Sequence, residues 1–195
     1  MSNTSSSGGY LAPLPIPEVL EDDALDDFFQ GIFAGITGLD PTMFFPRWQP
    51  EPPNLPAVDA DWASLGVTTT DPDTFGVELH SDAGEGSSEL QQHEVIDILT
   101  SFYGPNANKY AGLLRMGFQV AQNREILQQN AMAFVQSGNP VSVPSLVKDK
   151  WKRRVDLQIK IRRQVRRIYA VENLLSSQGE LNTEVMEVSI NVNNP

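Results

Sequence analysis

From Trp151 to Val171 the apolar residues Trp151, Val155, Leu157, Ile159, Ile161, Val165, Tyr169 and Val171 all occupy odd positions, and Lys, Arg, Gln and Asp fill most of the even positions between them. A period of two marks a strand with one buried face, because successive side chains on an extended chain point to opposite sides. A helix fits worse: at about 100° per residue, Val155 and Ile159 would lie nearly opposite Leu157 and Ile161. A strand from Trp151 to Arg167 would run roughly 55 Å at about 3.3 Å per residue, whereas a domain of about 150 residues is only roughly 40 Å across. It must bend or project beyond its own domain. Arg163 and Arg167 fall on the otherwise apolar phase, which puts the point where the strand leaves its core near Arg163.

Charge is as uneven as hydrophobicity. The stretch from Lys148 to Arg167 holds ten of the fourteen Lys and Arg and only two of the 25 acids, Asp149 and Asp156, a net +8. Four bases and 23 acids elsewhere leave −19, for −11 over the whole chain. A basic strand projecting from an acidic body suits a subunit that meets copies of itself. The overall negative charge argues against free nucleic acid as the main partner, although the basic strand can touch phosphates.

At 195 residues and 40% apolar content the chain supports one core and hardly two. There is no cysteine, so disulfides, thiol catalysis and Cys-based zinc sites are excluded. The start is Ser- and Gly-rich, and no apolar run approaches the roughly 18 to 20 residues of a membrane span. A soluble protein without an export signal or a membrane partner is expected.

In chain order, residues 1–17 read as a flexible, extended arm, because Pro13, Pro15 and Pro17 exclude helix. Leu25, Phe28, Phe29, Ile32, Phe33 and Ile36 then follow helical spacing within Glu18 to Gly38, with acids crowding the first turns and Gly38 as a stop. Met43 to Trp48 is a short strand candidate, Pro50 to Pro56 an extended connection, and Asp59 to Asp71 has no decidable pattern. Thr74 to His80 and Leu90 to Tyr103 read as two strands joined by the polar, Gly-rich SDAGEGSSE. Gly104-Pro105-Asn106 opens a second helix that is expected to end between Arg124 and Asn130. Ala131 to Gln136 reads as a strand, and Val143 to Val147 leads into the basic strand. After Val171 a turn with Leu174 and Leu175 docking is expected. Val188, Ile190 and Val192 then alternate with polar residues, giving a last strand if an edge is available. This order gives an α+β fold, a mostly antiparallel sheet with two packed helices, a long basic strand and extended termini.

Catalytic patterns are scarce. His80 and His93 sit in separate expected strands without local ligand partners, and solvated or interface roles are expected for both. Gly84-Glu85-Gly86 joins two strands, carries acids and is followed by no Lys, so it reads as a turn and not a phosphate cradle. Asp22, Asp23, Asp26 and Asp27 are explained by the solvated face at the positive end of the first helix, and no metal site or cofactor is assigned.

Five blocks carry a resemblance: LEDDALDDFFQGIFAGITGL (Leu20 to Leu39), PRWQPEPPNLP (Pro46 to Pro56), SSELQQHEVIDILTSFYGPNA (Ser87 to Ala107), VAQNREIL (Val120 to Leu127) and RRQVRRIYAVENLLSSQG (Arg162 to Gly179). Together they resemble the neck and tail terminator proteins of tailed bacteriophages and prophages, from about Gly8 to Gly179. The resemblance implies a non-enzymatic virion protein, assembled in the host cytoplasm, that forms a six-fold ring on the finished tail tube. The ring stops tube growth and presents a surface to the head connector while DNA passes through its lumen. In contractile tails the same protein also meets the last sheath ring. The implied division is residues 1–17 as an arm, 18–179 as the tail-terminator-like domain and 180–195 as an extension with an edge strand. Candidate subunit contacts are Lys152, Arg154, Arg162, Arg163, Arg166 and Arg167 on the basic strand, Asp22, Asp23, Asp26 and Asp27 on the acidic helix, and Val188 and Ile190 on the last strand. A head–tail adaptor or minor tail protein is the alternative within the virion. A small metal-dependent hydrolase or nuclease, its carboxylates converging only in the fold, is the alternative from another class.

Overall fold

The computed structural model describes residues 3, 5–16, 19–49, 54–57, 59–143, 145–147, 150–173, 176–183 and 186–193. The chain divides into a larger unit, Val19–Gly76 with Gln92–Val165, and a terminal unit, Met1–Glu18 with Val77–Gln91 and Arg166–Pro195. The elements are α1 (Asp22–Thr37), β1 (Phe44–Pro46), β2 (Trp62–Pro72), β3 (Val77–Ser81), β4 (Ser87–Tyr103), α2 (Ala107–Gly117), α3 (Glu125–Gln129), β5 (Met132–Ser137), β6 (Val141–Ser142), β7 (Ser145–Val147), β8 (Lys150–Lys152), β9 (Arg154–Tyr169), β10 (Ser176–Thr183) and β11 (Met186–Asn193). One sheet runs β1-β2-β4-β9-β5, with β3 on β4 and β6 on β9. β1 is parallel to β2, whereas β2 and β3 on β4, and β5 and β6 on β9, are antiparallel. The fold is α+β with a mostly antiparallel mixed sheet.

In the larger unit the period-two rule of the basic stretch holds from Val155 onward. Val155, Leu157, Ile159 and Ile161 are completely buried, and they meet Ile96, Ile98 and Phe102 of β4 in one core beneath α1 and α2. Helix α1 delivers Leu25, Phe29, Phe33 and Ala34 to that core at the helical spacing seen in the sequence. It ends where Gly38 takes φ 69° and donates its N–H to Ala34 O at 2.8 Å, a left-handed cap that glycine adopts without strain. Phe33 meets Phe118 edge to face at 5.8 Å, and Phe118 stacks on Phe134 at 4.9 Å. Gly117 has no room for a side chain, since a Cβ there would overlap Ile36 Cγ2 of α1.

Several expectations need correction. The second helix ends at Gly117, not between Arg124 and Asn130. A 3-10 turn at Gln122–Arg124 leads into the five-residue α3, and Asn123 Nδ2 donates to the freed Gly117 carbonyl at 2.9 Å. The undecided stretch before Asp71 is β2. Its alternation is obscured by Gly66, where a Cβ would come within 2.9 Å of Arg47 Cβ and 3.2 Å of Trp48 Nε1, and by three consecutive threonines. The basic stretch is two strands. β8 stops at Lys152 and β9 starts at Arg154, because Arg153 turns aside to accept from Gly104 N–H at 3.2 Å and to donate to Pro105 O at 3.2 Å. The phase inverts at that break: Trp151 is 73% exposed and Lys152 only 5%.

In the terminal unit the N-terminal arm is tied to the end of β9. Leu14 N–H donates to Ile168 O at 2.7 Å, and Ser5 Oγ accepts from Glu172 N–H at 2.7 Å. The residues read as a turn after Val171 include β10, which pairs antiparallel with β11 so that Gly179 faces Ile190 and Leu181 faces Val188. The last strand therefore finds its edge within its own chain. Docking of Leu174 and Leu175 lies outside the described residues, and the expected boundary after Gly179 falls inside β10. Among the described residues no helix is long and apolar enough to cross a membrane.

Candidate assembly surface

The even positions of β9 turn away from the core, and their cations meet acids of the same chain. Lys160 Nζ lies 3.2 Å from Asp97, Arg162 2.7 Å from Asp73, and Arg154 2.7 Å from Asp156. In the terminal unit Arg166 grips both oxygens of Glu89 at 2.6 Å, which holds that carboxyl down to about 2 and raises the guanidinium in turn. Arg167 is half-buried in the same unit.

Arg163, on the apolar phase, is only 7% exposed. Its guanidinium donates to Glu94 and to the Leu20 carbonyl. Glu94 shares the even phase of β4 with Ile96 and Ile98, so acid and base meet on the same face just past the last apolar pair.

The acidic helix end is mixed. Asp22, Asp23 and Asp27 are exposed, as the solvated-face reading requires, but Asp26 is 6% exposed and accepts the Val67 N–H at 3.3 Å. Burial pushes the Asp26 carboxyl up, the Val67 hydrogen bond opposes this, and the charges of Asp23, Asp27 and Asp22 add to it. A cleft of about 360 Å³ opens here, lined by Glu21, Asp22, Leu25, Asp26, Val67, Thr70, Glu94 and Arg163. Of the candidate residues it gathers Asp22, Asp26 and Arg163, with Asp23 and Asp27 outside its lining.

Near the start of β2 the chemistry is aromatic and cationic. Trp62 stacks on Tyr103 with centroids 4.0 Å apart, and Phe45 meets Trp62 edge-on at 5.5 Å. Lys152 Nζ stands 5.0 Å from the Trp62 ring, and the Arg154 guanidinium 5.7 Å from Tyr103. Burial lowers the Lys152 pKa, partly offset by Asp59. Beyond Lys152 the β7–β8 hairpin pairs Leu146 with Trp151 in register, and both side chains face solvent.

Residues 23–190 match the model of the phage neck terminator protein family. The chain belongs to that family. No curated protein matches it. A neck terminator is a structural component of the phage particle, and this one is read as such. The match runs past Gly179 into β11, beyond the blocks that carried the resemblance.

The surface of this neck terminator differs from the one its sequence suggested in how its cations are used. Arg154, Lys160, Arg162, Arg163 and Arg166 are each matched within the chain: Arg154 pairs with Asp156 on β9 itself, and the other partner acids, Asp73, Glu89, Glu94 and Asp97, lie on or beside β4. For those last four acids the sequence carries no signal, because the pairing depends on a register between segments far apart in the chain. The exposed Leu146 and Trp151 pair was missed because continuous alternation put Trp151 on the buried phase. Val188 and Ile190 sit in register opposite Leu181 and Gly179 on β11. His80 is held in the terminal unit between Ser88 Oγ at 3.1 Å and Asn173 Oδ1 at 2.9 Å, and His93 is exposed.

Proposed function

We propose that this neck terminator caps the tail tube as a ring of six copies, stops tube growth and offers its other surface to the head connector, with DNA passing through the lumen. The observation that carries the reading is the family match along residues 23–190. A head-to-tail contact between identical copies closes into a ring when its rotation closes. The exposed acids Asp22, Asp23 and Asp27 at the start of α1 suit one side of such a contact. Assembly proceeds in the host cytoplasm, and in a contractile tail the same ring also meets the sheath. The domain division carries over as residues 1–17 as an arm and 18–179 as the ring-forming body. The extension from 180 to 195, which holds the end of β10 and all of β11, is the piece offered to a neighbour or to sheath.

Native mass measurement with negative-stain imaging, at low and physiological salt, tests the ring. Closed six-fold rings with a central hole are expected, alone or on the ends of added purified tubes. Failure to cap those tubes assigns the protein to the alternative, a head–tail adaptor. Deleting residues 176–193 is expected to impair tail joining, and unimpaired joining removes the hairpin from the assembly.

A further inference from the structure

Strand β5 has six residues and ends the order of its sheet, with no strand beyond it among the described residues. A cleft of about 620 Å³ is lined by β5 from Phe134 to Ser137 together with Arg115, Met116 and Arg124. Successive residues of a strand point to opposite faces, so a cleft that touches four in a row runs along the strand's free edge. Met116 is 72% exposed there and Val135 48%. No acid lines the cleft, and among the described residues neither Arg115 nor Arg124 belongs to an ion pair, whereas the cations of β9 find carboxylates. An open edge is a template for a further strand. In a chain of net charge −11, two unanswered guanidiniums beside that edge call for a strand that brings acids with it.

Strand β3 has that character. Its five residues, Val77–Ser81, are all exposed, and among the described residues it pairs with β4 alone. Val77, 58% exposed, and Leu79, 49% exposed, share one face, and Phe75 just before them is 87% exposed. Glu78 within the strand and Asp82 just past it are exposed and belong to no ion pair among the described residues. The two edges also match in length, at roughly 17 and 20 Å for about 3.3 Å per residue. Exposed acids stand on α1 as well, at Asp22, Asp23 and Asp27, but a helix pairs its backbone within itself and offers no strand edge.

We propose that β3 of one copy adds along the free edge of β5 of a second copy, and that this strand-to-strand contact, repeated head to tail, joins the subunits of the ring. The proposal rests on the ring reading and names its contact. Backbone hydrogen bonds between the two edges supply the attachment. Val77 and Leu79 gain Met116 and Val135 to bury against, and Glu78 and Asp82 answer Arg115 and Arg124. Because β3 and β5 are different strands of one chain, each copy gives an edge to one neighbour and takes an edge from another. That is the geometry of a heterologous interface.

A photoreactive side chain in the cleft reads the contact directly. The full chain with a benzophenone amino acid in place of Val135 or, separately, of Met116 is irradiated under ring-forming conditions, free or on tube ends, and the linked peptides are identified by mass spectrometry. Links to residues 75–82 of a second copy are expected, with isotope-labelled and unlabelled protein mixed to show that they join two chains. Rings in which both probes link to another segment, to tube protein or to nothing overturn the strand contact and leave the ring reading standing. Links to residues 75–82 within one copy also overturn it. Absence of rings from the unmodified chain, in solution and on tubes, removes both readings. Charge exchange gives a second readout: Arg115→Glu with Arg124→Glu, or Glu78→Arg with Asp82→Arg, should each raise the concentration needed for rings by at least about tenfold, and one chain carrying all four should assemble again. The urea midpoint of each variant checks that the subunit still folds. Folded variants whose assembly is unaffected by either pair overturn the proposal.

Discussion

Arg163 breaks the apolar phase of β9 and is nonetheless buried, so its charge must be answered where it sits. Glu94 and the Leu20 carbonyl do so, which makes removal of one partner far worse than removal of both. Arg163→Ala is expected to cost about 3 to 5 kcal/mol by leaving a buried carboxylate unpaired, and Arg163→Leu with Glu94→Leu to recover most of that loss, both read from urea unfolding. Reversing Arg163 to Glu therefore tests folding before it tests assembly. Its position was legible as an interruption in a period-two pattern, but its partner lies 69 residues earlier and no local rule sets that register. Asp26 gives a second prediction. Helical spacing placed it on the solvated face, and β2, an element the sequence left undecided, covers it instead. Its raised folded-state pKa means that its contribution is fully present below the usual carboxylate value of 3.8 and is lost as pH rises through the raised value. Asp26→Asn carries no such titration, so the difference in stability should move in favour of the variant as pH climbs through that range. Paired unfolding curves that keep a constant separation would show that burial does not perturb this carboxyl.

Among elements, helix α1 was legible in its core face and its stop, because six apolar residues repeat at helical spacing and Gly38 ends it, although it starts at Asp22 and not at Glu18. Helix α2 was legible at its start and not at its end: its apolar stripe continues in register past Gly117, but the chain turns there to send Phe118 between Phe33 and Phe134. The close approach of α1 and α2 at Gly117 predicts that Gly117→Ala will destabilise by about 1 to 3 kcal/mol, as overpacking does. Ile36→Ala with Gly117→Ala is expected to cost less than the two single changes added together, since Ile36→Ala removes the Cγ2 that the added methyl group meets. Thermal unfolding of the three variants checks both statements, and a neutral single variant would mean that the helices separate freely. The break between β8 and β9 was illegible for a different reason. Alternation persists on both sides of Arg153 and only the phase changes, so a pattern read as continuous assigned Trp151 to the core when it stands exposed on β8.

At the scale of the whole molecule, the sequence shows the imbalance of charge but not where that charge remains available. Along β9 it is largely spent within the chain, on Asp73, Glu89, Glu94, Asp97 and Asp156. At the start of α1, by contrast, Asp22, Asp23 and Asp27 stay exposed. Salt separates these two uses of charge. Exposed charges are screened over about 8 Å at physiological ionic strength and about 3 Å at 1 M, whereas a buried pair is screened much less. Raising salt from about 0.05 M to about 0.5 M is therefore expected to lower the fraction of protein in rings, measured by sedimentation, while the urea midpoint of the subunit shifts little because Arg163 and Glu94 are shielded. A ring fraction that rises with salt would assign the contact to apolar burial alone.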